Sequence, residues 1–279
     1  YRLTCLNAYF FRDNRVCEDC LGKSFPWPGI IHACYRRSRG ASSVVAIMLF
    51  VHRLLGTYRN KVNRYLTLTE FSRDKLISTG IPVGKTQVIP NFVEYDPGVG
   101  NGSDGIYLFA GRLSPEKGLR VLLNAWQNLP GIRLQIAGTG EEEEIARTFA
   151  EGHANVEYLG RLDHADLLAR MQKAKAIVVP SLCYEGAPNV ITEGFACGTP
   201  ALVSRLGGMA EMVRDGETGW TFNPGDADDL VMVIRQIEDQ PEKTTNMRTF
   251  ARTEYETKYA KDVVIAQLET LYKQVIENR

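Results

Sequence analysis

The stretch that most constrains this chain runs from Val178 to Pro200, VVPSLCYEGAPNVITEGFACGTP. An unbroken apolar run, Ala176-Ile177-Val178-Val179, stops at Pro180, as a strand buried in a parallel sheet does. A short loop follows with Glu185 and Gly186. Pro188, suited to a first helical position, opens a stretch patterned Val190, Ile191, Phe195, Ala196 that ends at Gly198-Thr199-Pro200. Strand, loop and helix start in that order predict a βα unit, with free backbone N–H groups and a positive dipole end aimed at an anion. Glu185 before the helix and Glu193 inside it flank that position, with seven residues between them. The spacing alone fits an ordinary βα unit with two surface glutamates equally well.

The rest of the chain repeats the unit. Residues 41–58 are patterned as a helix, 64–69 as a strand, 70–79 as a helix ended by Gly80, and 86–93 as a short strand. That alternation predicts a parallel sheet, about half of a Rossmann-like domain. The composition then shifts: residues 96–104, DPGVGNGSD, hold three Gly and a Pro and read as an interdomain linker. From 105 onward, strands at 106–110, 132–137, 156–159, 176–179, 201–203 and 219–222 alternate with helices, the pattern of a doubly wound α/β domain reaching about residue 258. Helical segments at 227–239, 241–255 and 261–277 close the chain, the last with Val264, Leu268, Leu271 and Val275 on one face.

Length and composition limit what such a chain does. At 279 residues with 44% apolar content it holds one large or two medium domains with real cores. Lys plus Arg and Asp plus Glu both number 33, which argues against nucleic acid as a partner and makes any anion site local. No apolar run reaches the roughly 18–20 residues of a bilayer span; the best, Val44 to Val51, breaks at His52-Arg53 and reads as a core or interfacial helix that could dock on a membrane. A cytoplasmic protein, at most peripheral to a membrane, is the expectation.

Residues 1–40 are irregular and carry Cys5, Cys17, Cys20 and Cys34. A C-x-x-C pair with two outer cysteines suits a tetrahedral structural zinc site, and so little apolar patterning calls for a staple. Two disulfides, a redox pair and free thiols remain open. The four histidines, His32, His52, His153 and His164, have no Ser or Cys partner motif and read as surface or packing residues.

The second chemical constellation is Gly111-Arg112-Leu113-Ser114-Pro115-Glu116-Lys117-Gly118. With Ser114 as N-cap and Pro115 as N1, Lys117 falls in a first helical turn, and Arg112 ends the preceding strand. Two cations at a strand's C-terminal edge beside a helix N-terminus suit a pyrophosphate. Ser114 to Lys117 also fits S-x-x-K, but neither S-D-N nor K-T-G follows, so an acyl-enzyme is discarded. Gly138-Thr139-Gly140 lacks the third Gly of a dinucleotide fingerprint. A glycosidase pair of carboxylates needs no cationic cradle, and the cradle is the clearer feature.

Glu185 through Glu193, Gly198-Thr199-Pro200 and the Gly111–Gly118 segment closely resemble the nucleotide-sugar site of retaining glycosyltransferases of family four. The resemblance implies a GT-B fold of two Rossmann-like parallel-sheet domains. It further implies a partial acceptor-side domain at 1–95, a donor domain at 105–258, and a helix at 259–279 packing back on the first domain. It places Arg112 and Lys117 on the diphosphate, with no catalytic metal, and Glu193 on the ribose. Glu185 lies by the transferred sugar, and the backbone from Gly186 to Val190 lines sugar and phosphate, with N–H groups at Gly186, Ala187, Asn189 and Val190 and none at Pro188. Gly138, Gly140, Arg161 and Leu162 fall around the base, and Gly111 joins Arg112 and Lys117 among the donor-binding residues. Glu185, Arg112 and Lys117 are the catalytic candidates. The implied donor is a nucleotide sugar, most often a UDP-sugar; the acceptor, a glycan, lipid-linked sugar or small molecule, stays open. The chain enters at YRLTCLNAYFF, which looks like the interior of the first domain, so the acceptor half is expected to be truncated or supplied by an N-terminal partner chain.

Overall fold

The computed structural model describes residues 1–277. Its first part holds a hairpin of two-residue strands, β1 (Phe11–Arg12) and β2 (Arg15–Val16), followed by helices α1 (Trp27–Ile31), α2 (Arg39–Leu54) and α3 (Thr57–Asn60). Then comes a β-α-β unit: β3 (Tyr65–Thr67), α4 (Glu70–Ile77) and β4 (Thr86–Val88), with the strands parallel. Ser38 and Thr69 cap α2 and α4 by accepting hydrogen bonds from Ala41 and Ser72 N–H.

The second part is built on six parallel strands, β5 (Tyr107–Ala110), β6 (Leu134–Ala137), β7 (Val156–Gly160), β8 (Ala176–Val179), β9 (Ala201–Ser204) and β10 (Gly219–Phe222), in the spatial order β10-β9-β8-β5-β6-β7. Between and after them run α5 (Leu119–Trp126), α6 (Glu143–Gly152), α7 (His164–Lys173), α8 (Asn189–Ala196), α9 (Gly207–Met212), α10 (Ala227–Glu238) and α11 (Pro241–Glu254). Alternation along each strand sends side chains to opposite faces. Tyr107, Phe109, Val178 and Leu202 join one core under α5, α6 and α10. Leu108, Ile177, Val179 and Val203 join the other under α7, α8, α9 and α11. Two covered faces explain the unbroken apolar runs, because neither side of the sheet meets water.

Residues 96–104 have no helix or strand, yet they are fastened to the second part rather than hanging free. Gln172 donates to the carbonyls of Pro97 and Gly98, Gly100 N–H donates to Cys197 O, and Arg252 grips Asp96 with both terminal nitrogens, at 2.7 and 2.6 Å. Buried Arg248 donates to Ala174 O, Gln172 O, Cys197 O and Thr199 Oγ1, tying the end of α7 to the turn after α8. After a π-helical turn at Tyr255–Tyr259, α12 (Lys261–Glu277) lays Val264, Leu268, Leu271 and Val275 against Ile89 and Phe92, next to β4.

One core expectation fails. The buried side of α2 is only Ser42, Ala46 and Leu49, whereas Val44, Ile47, Met48, Val51 and Leu54 face out, with Val44 68% exposed. No helix among the described residues is long and apolar enough to cross a membrane.

Candidate active site

Strand order fixes where the chemistry can gather. β5 and β8 are neighbours at the centre of the sheet, but the chain leaving β5 continues to β6 and β7 on one side, and that leaving β8 continues to β9 and β10 on the other. The helices that follow, α5 and α8, pack on opposite faces. Between them, beyond the carboxyl ends of β5 and β8, the chain leaves a crevice, the topological switch point where open α/β sheets bind ligands. Both constellations of the sequence open onto it: Gly111–Gly118 follows β5 and Pro180–Pro188 follows β8.

Local geometry then brings the charges together. Lys117 does not begin the long helix, as the motif predicts; it ends a separate 3-10 turn, Pro115–Lys117, and α5 starts only after Gly118. Gly118 has φ +74°, and a Cβ there would lie 1.9 Å from Pro180 O, so only glycine lets this turn close on the end of β8. Leu182 N–H donates to Glu116 O across the same seam. Lys117 Nζ thereby reaches Glu185 Oε1 at 2.7 Å, and Ser181 Oγ donates to that oxygen at 2.8 Å. Ser114 makes no capping bond; its hydroxyl donates to Glu116 Oε1. Arg112, 60% exposed, stands beside them, with Glu116 at 3.9 Å. The Tyr9 hydroxyl, with Glu116 and Glu185 behind it, holds the Arg112 guanidinium firmly charged.

On the β8 side, Pro188 proves to be the N-cap, with Asn189 the first helical residue, and no side chain caps α8. Its first N–H groups are therefore free to meet an anion. The loop before it is braced from the first part of the chain: Thr69 Oγ1 donates to Gly186 O at 3.3 Å and Asn91 Nδ2 to Asn189 Oδ1 at 2.9 Å. Tyr1 OH donates to Glu185 O at 3.4 Å. Burial pushes the Tyr1 and Tyr184 hydroxyls up to about 12, and it raises the Cys183 thiol as well.

A cleft of about 320 Å³ adjoins Arg112, lined by Gly111, Arg112, Gly138, Thr139, Arg161 and Leu162. Gly138 is needed because a Cβ there would fall 1.8 Å from Gly111 O. Gly140 does not line the cleft; a Cβ there would fall 2.2 Å from Leu113 O. Glu193 lies on α8 with His164 Nε2 3.0 Å away on α7, the helix whose Leu167 also lines the cleft. His164 is a surface group, 54% exposed, that nonetheless pairs with Glu193, and Ser181, Tyr9 and Tyr1 join the site outside any motif of the sequence. Only Ser181, four residues before Glu185 at a strand end, carried a local signal.

The sequence profile described as "Glycosyl transferases group 1" matches residues 97–254, more than half of the chain. The chain belongs to that family. Among curated relatives, a glycogen synthase of Mycobacterium tuberculosis is 37% identical over 141 residues, 48% of this chain and 34% of that protein. A phosphatidyl-myo-inositol mannosyltransferase of Mycobacterium leprae is 33% identical over 171 residues, 57% of this chain and 44% of that protein. The matched stretch thus spans less than half the length of either relative. Among solved structures, Anabaena HepE in complex with UDP-glucose superposes with a TM-score of 0.69 at 21% identity, over 83% of this chain and 67% of that one. Sucrose-phosphate synthase from Thermosynechococcus elongatus gives a TM-score of 0.72 at 20% identity, over 90% and 66%. At such identities the likeness speaks for the fold: it is GT-B, with a six-stranded parallel sheet and a smaller second sheet.

Proposed function

We propose that this chain carries the donor site of a retaining glycosyltransferase that moves a sugar from a UDP-sugar to a hydroxyl of an acceptor. The observation that carries the reading is the meeting of Lys117, Arg112 and Glu185 at the switch point, beside the uncapped N-terminus of α8. Two cations and free N–H groups suit a diphosphate, and the adjoining cleft suits a base and ribose. HepE, whose fold this chain shares, was solved with UDP-glucose, which favours uracil as the base.

In this reading Arg112 and Lys117 stabilise the charge that grows on the diphosphate as the bond from its oxygen to the anomeric carbon breaks, the part a divalent ion plays elsewhere. The acceptor oxygen attacks from the face the diphosphate leaves, and the departing phosphate oxygen takes the acceptor's proton. Glu185, released as Lys117 turns to phosphate, holds hydroxyls of the sugar, and Glu193 takes those of the ribose. Glu185 through Val190 form the sugar and phosphate wall, and Gly111, Gly138, Arg161 and Leu162 the base wall.

Incubation with UDP-, GDP- and ADP-sugars and an acceptor panel, read by anomer-resolved NMR, tests this. Transfer from the UDP-sugar with the anomeric configuration kept is expected; inversion, or a preference for another base, overturns it. The two-stranded β3–β4 sheet favours a second reading, in which the acceptor half is completed by a further segment or a separate chain. Turnover only after an N-terminal fragment is added supports that version.

A further inference from the structure

Residues 1–38 hold more backbone strain than their packing accounts for. All seven non-glycine residues with positive φ in the described chain lie there, from Ala8 at +68° to Arg37 at +52°. Such conformations are disfavoured for residues that carry a Cβ and persist where something over-determines them. The apolar contribution is modest: Leu6 joins Ala46 and Leu49 in a buried cluster flanked by half-buried Leu3, Phe25, Ile30 and Tyr35, and Phe10 is buried. At the centre of the segment, Cys5, Cys17, Cys20 and Cys34 line one void of about 10 Å³, the room of a single small atom or ion. Each of the four sulfurs is within electrostatic reach of the other three. All four are free thiols. Burial raises the Cys17 and Cys20 thiols, and the Asp19 and Gly29 N–H groups that face their sulfurs offset only part of that. A Cβ on Gly29 would lie 3.4 Å from Cys20 Sγ and 2.5 Å from Leu6, so the close backbone approach depends on glycine.

We propose that Cys5, Cys17, Cys20 and Cys34 form a structural site for one Zn²⁺ ion. As the side chains stand, no three His, Cys, Asp or Glu groups among the described residues are gathered tightly enough to hold a metal. The site therefore closes on the ion, through χ1 changes that bring the sulfurs to about 2.3 Å from it. The metal's charge deprotonates the four thiols, releasing four protons, and no oxidant or reductant is involved. An all-thiolate tetrahedral set selects zinc over hard cations such as magnesium or calcium. The ion ties the hairpin β1–β2 to the end of α1, and so fixes Phe10 against Tyr184, ring centres 5.7 Å apart, and Tyr9 beside Arg112.

The full chain, purified under reducing conditions, is assayed by elemental analysis and, after zinc removal, by titration with Co²⁺. About one zinc per chain is expected, lost in Cys20→Ser and kept in Cys197→Ser, whose cysteine lies at the end of α8. Co²⁺ should give the intense visible absorption and sulfur-to-metal charge-transfer band of a tetrahedral thiolate site, bleached by Zn²⁺. A folded wild-type chain that carries no zinc and develops no thiolate–cobalt spectrum overturns the proposal. So does iron in place of zinc, or undiminished zinc in a folded Cys20→Ser variant. The cobalt titration needs no mutant, so it decides the matter even where Cys20→Ser fails to fold.

Discussion

The two parts of this molecule are held together by different physics. Residues 105–258 bury both faces of a six-stranded sheet under helices, and their two cores include Trp126, Phe195 and Phe222, all essentially without solvent contact. Residues 1–95 hold a two-stranded hairpin, a two-stranded parallel sheet and a three-residue cluster, and α2 turns Val44, Ile47 and Leu54 to solvent. The first part is fastened to the second by polar and aromatic contacts, together with Val93, which is buried in one of the second part's cores. The Glu211 carboxylate accepts from Glu70 and Phe71 N–H at the start of α4, at 2.8 Å each, and Tyr184 meets both Phe10 and Phe71 edge-to-face. A rigid scaffold carries the charged constellation, and the less cored part reaches over it with Tyr1, Tyr9 and Thr69. Sites need atoms held within fractions of an ångström, and only the deep sheet provides that.

Equal deletions in the two parts make the sharpest contrast. Leu122 and Leu49 are both fully buried. Leu122→Ala should cost about 4 kcal/mol, the upper end for a core that cannot collapse, and Leu49→Ala about 2 kcal/mol, because its neighbours are mostly half-buried side chains that can close on the gap. Denaturant midpoints measure both, and equal costs would break the contrast.

Gly118→Ala comes next. The left-handed backbone and the 1.9 Å approach to Pro180 O predict a loss of about 2 kcal/mol or more, with nucleotide affinity falling in the same variant as Lys117 shifts. Stability lost with affinity intact would mean that Lys117 is placed by something else.

A smaller effect concerns the seam between the parts. Burial raises the Tyr184 hydroxyl from about 10 to about 12. A folded pKa above the unfolded one contributes stability in full below pH about 10, and that contribution fades as pH rises toward about 12. Ultraviolet titration of phenolate should therefore show one late-ionising tyrosine fewer in Tyr184→Phe, with Tyr1 still ionising late. The smallest effect is at α2: Ile47→Glu on the exposed face should change stability by no more than about 0.5 kcal/mol. A large loss there would show that this face is covered in solution.

The legible and illegible features divide along the same line. Strands β5, β6, β8 and β9 are plain in the sequence because burial on both faces forces apolar runs, and Gly and Pro mark their ends. The cations Arg112 and Lys117 and the carboxylates Glu185 and Glu193 are legible because each sits at a fixed offset from a strand end. The 3-10 turn at Lys117 is not, since it depends on Gly118 meeting a carbonyl sixty-two positions away in the chain, at Pro180. His164 and Tyr9 reach the site from separate elements, and no local pattern announces a partner 29 or 103 positions distant, Glu193 and Arg112 respectively. The outward face of α2 misleads for a related reason: periodicity reports an apolar stripe but not what covers it.

The most direct test of the central claim is calorimetric titration of the chain with UDP, GDP and ADP, repeated on Lys117→Ala and Glu193→Ala. UDP should bind selectively, and each substitution should weaken it by about 1–2 kcal/mol, roughly five- to thirtyfold in Kd. A chain that is folded by circular dichroism yet binds none of the three, or binds UDP equally well in both variants, would contradict a donor site at the crevice between β5 and β8.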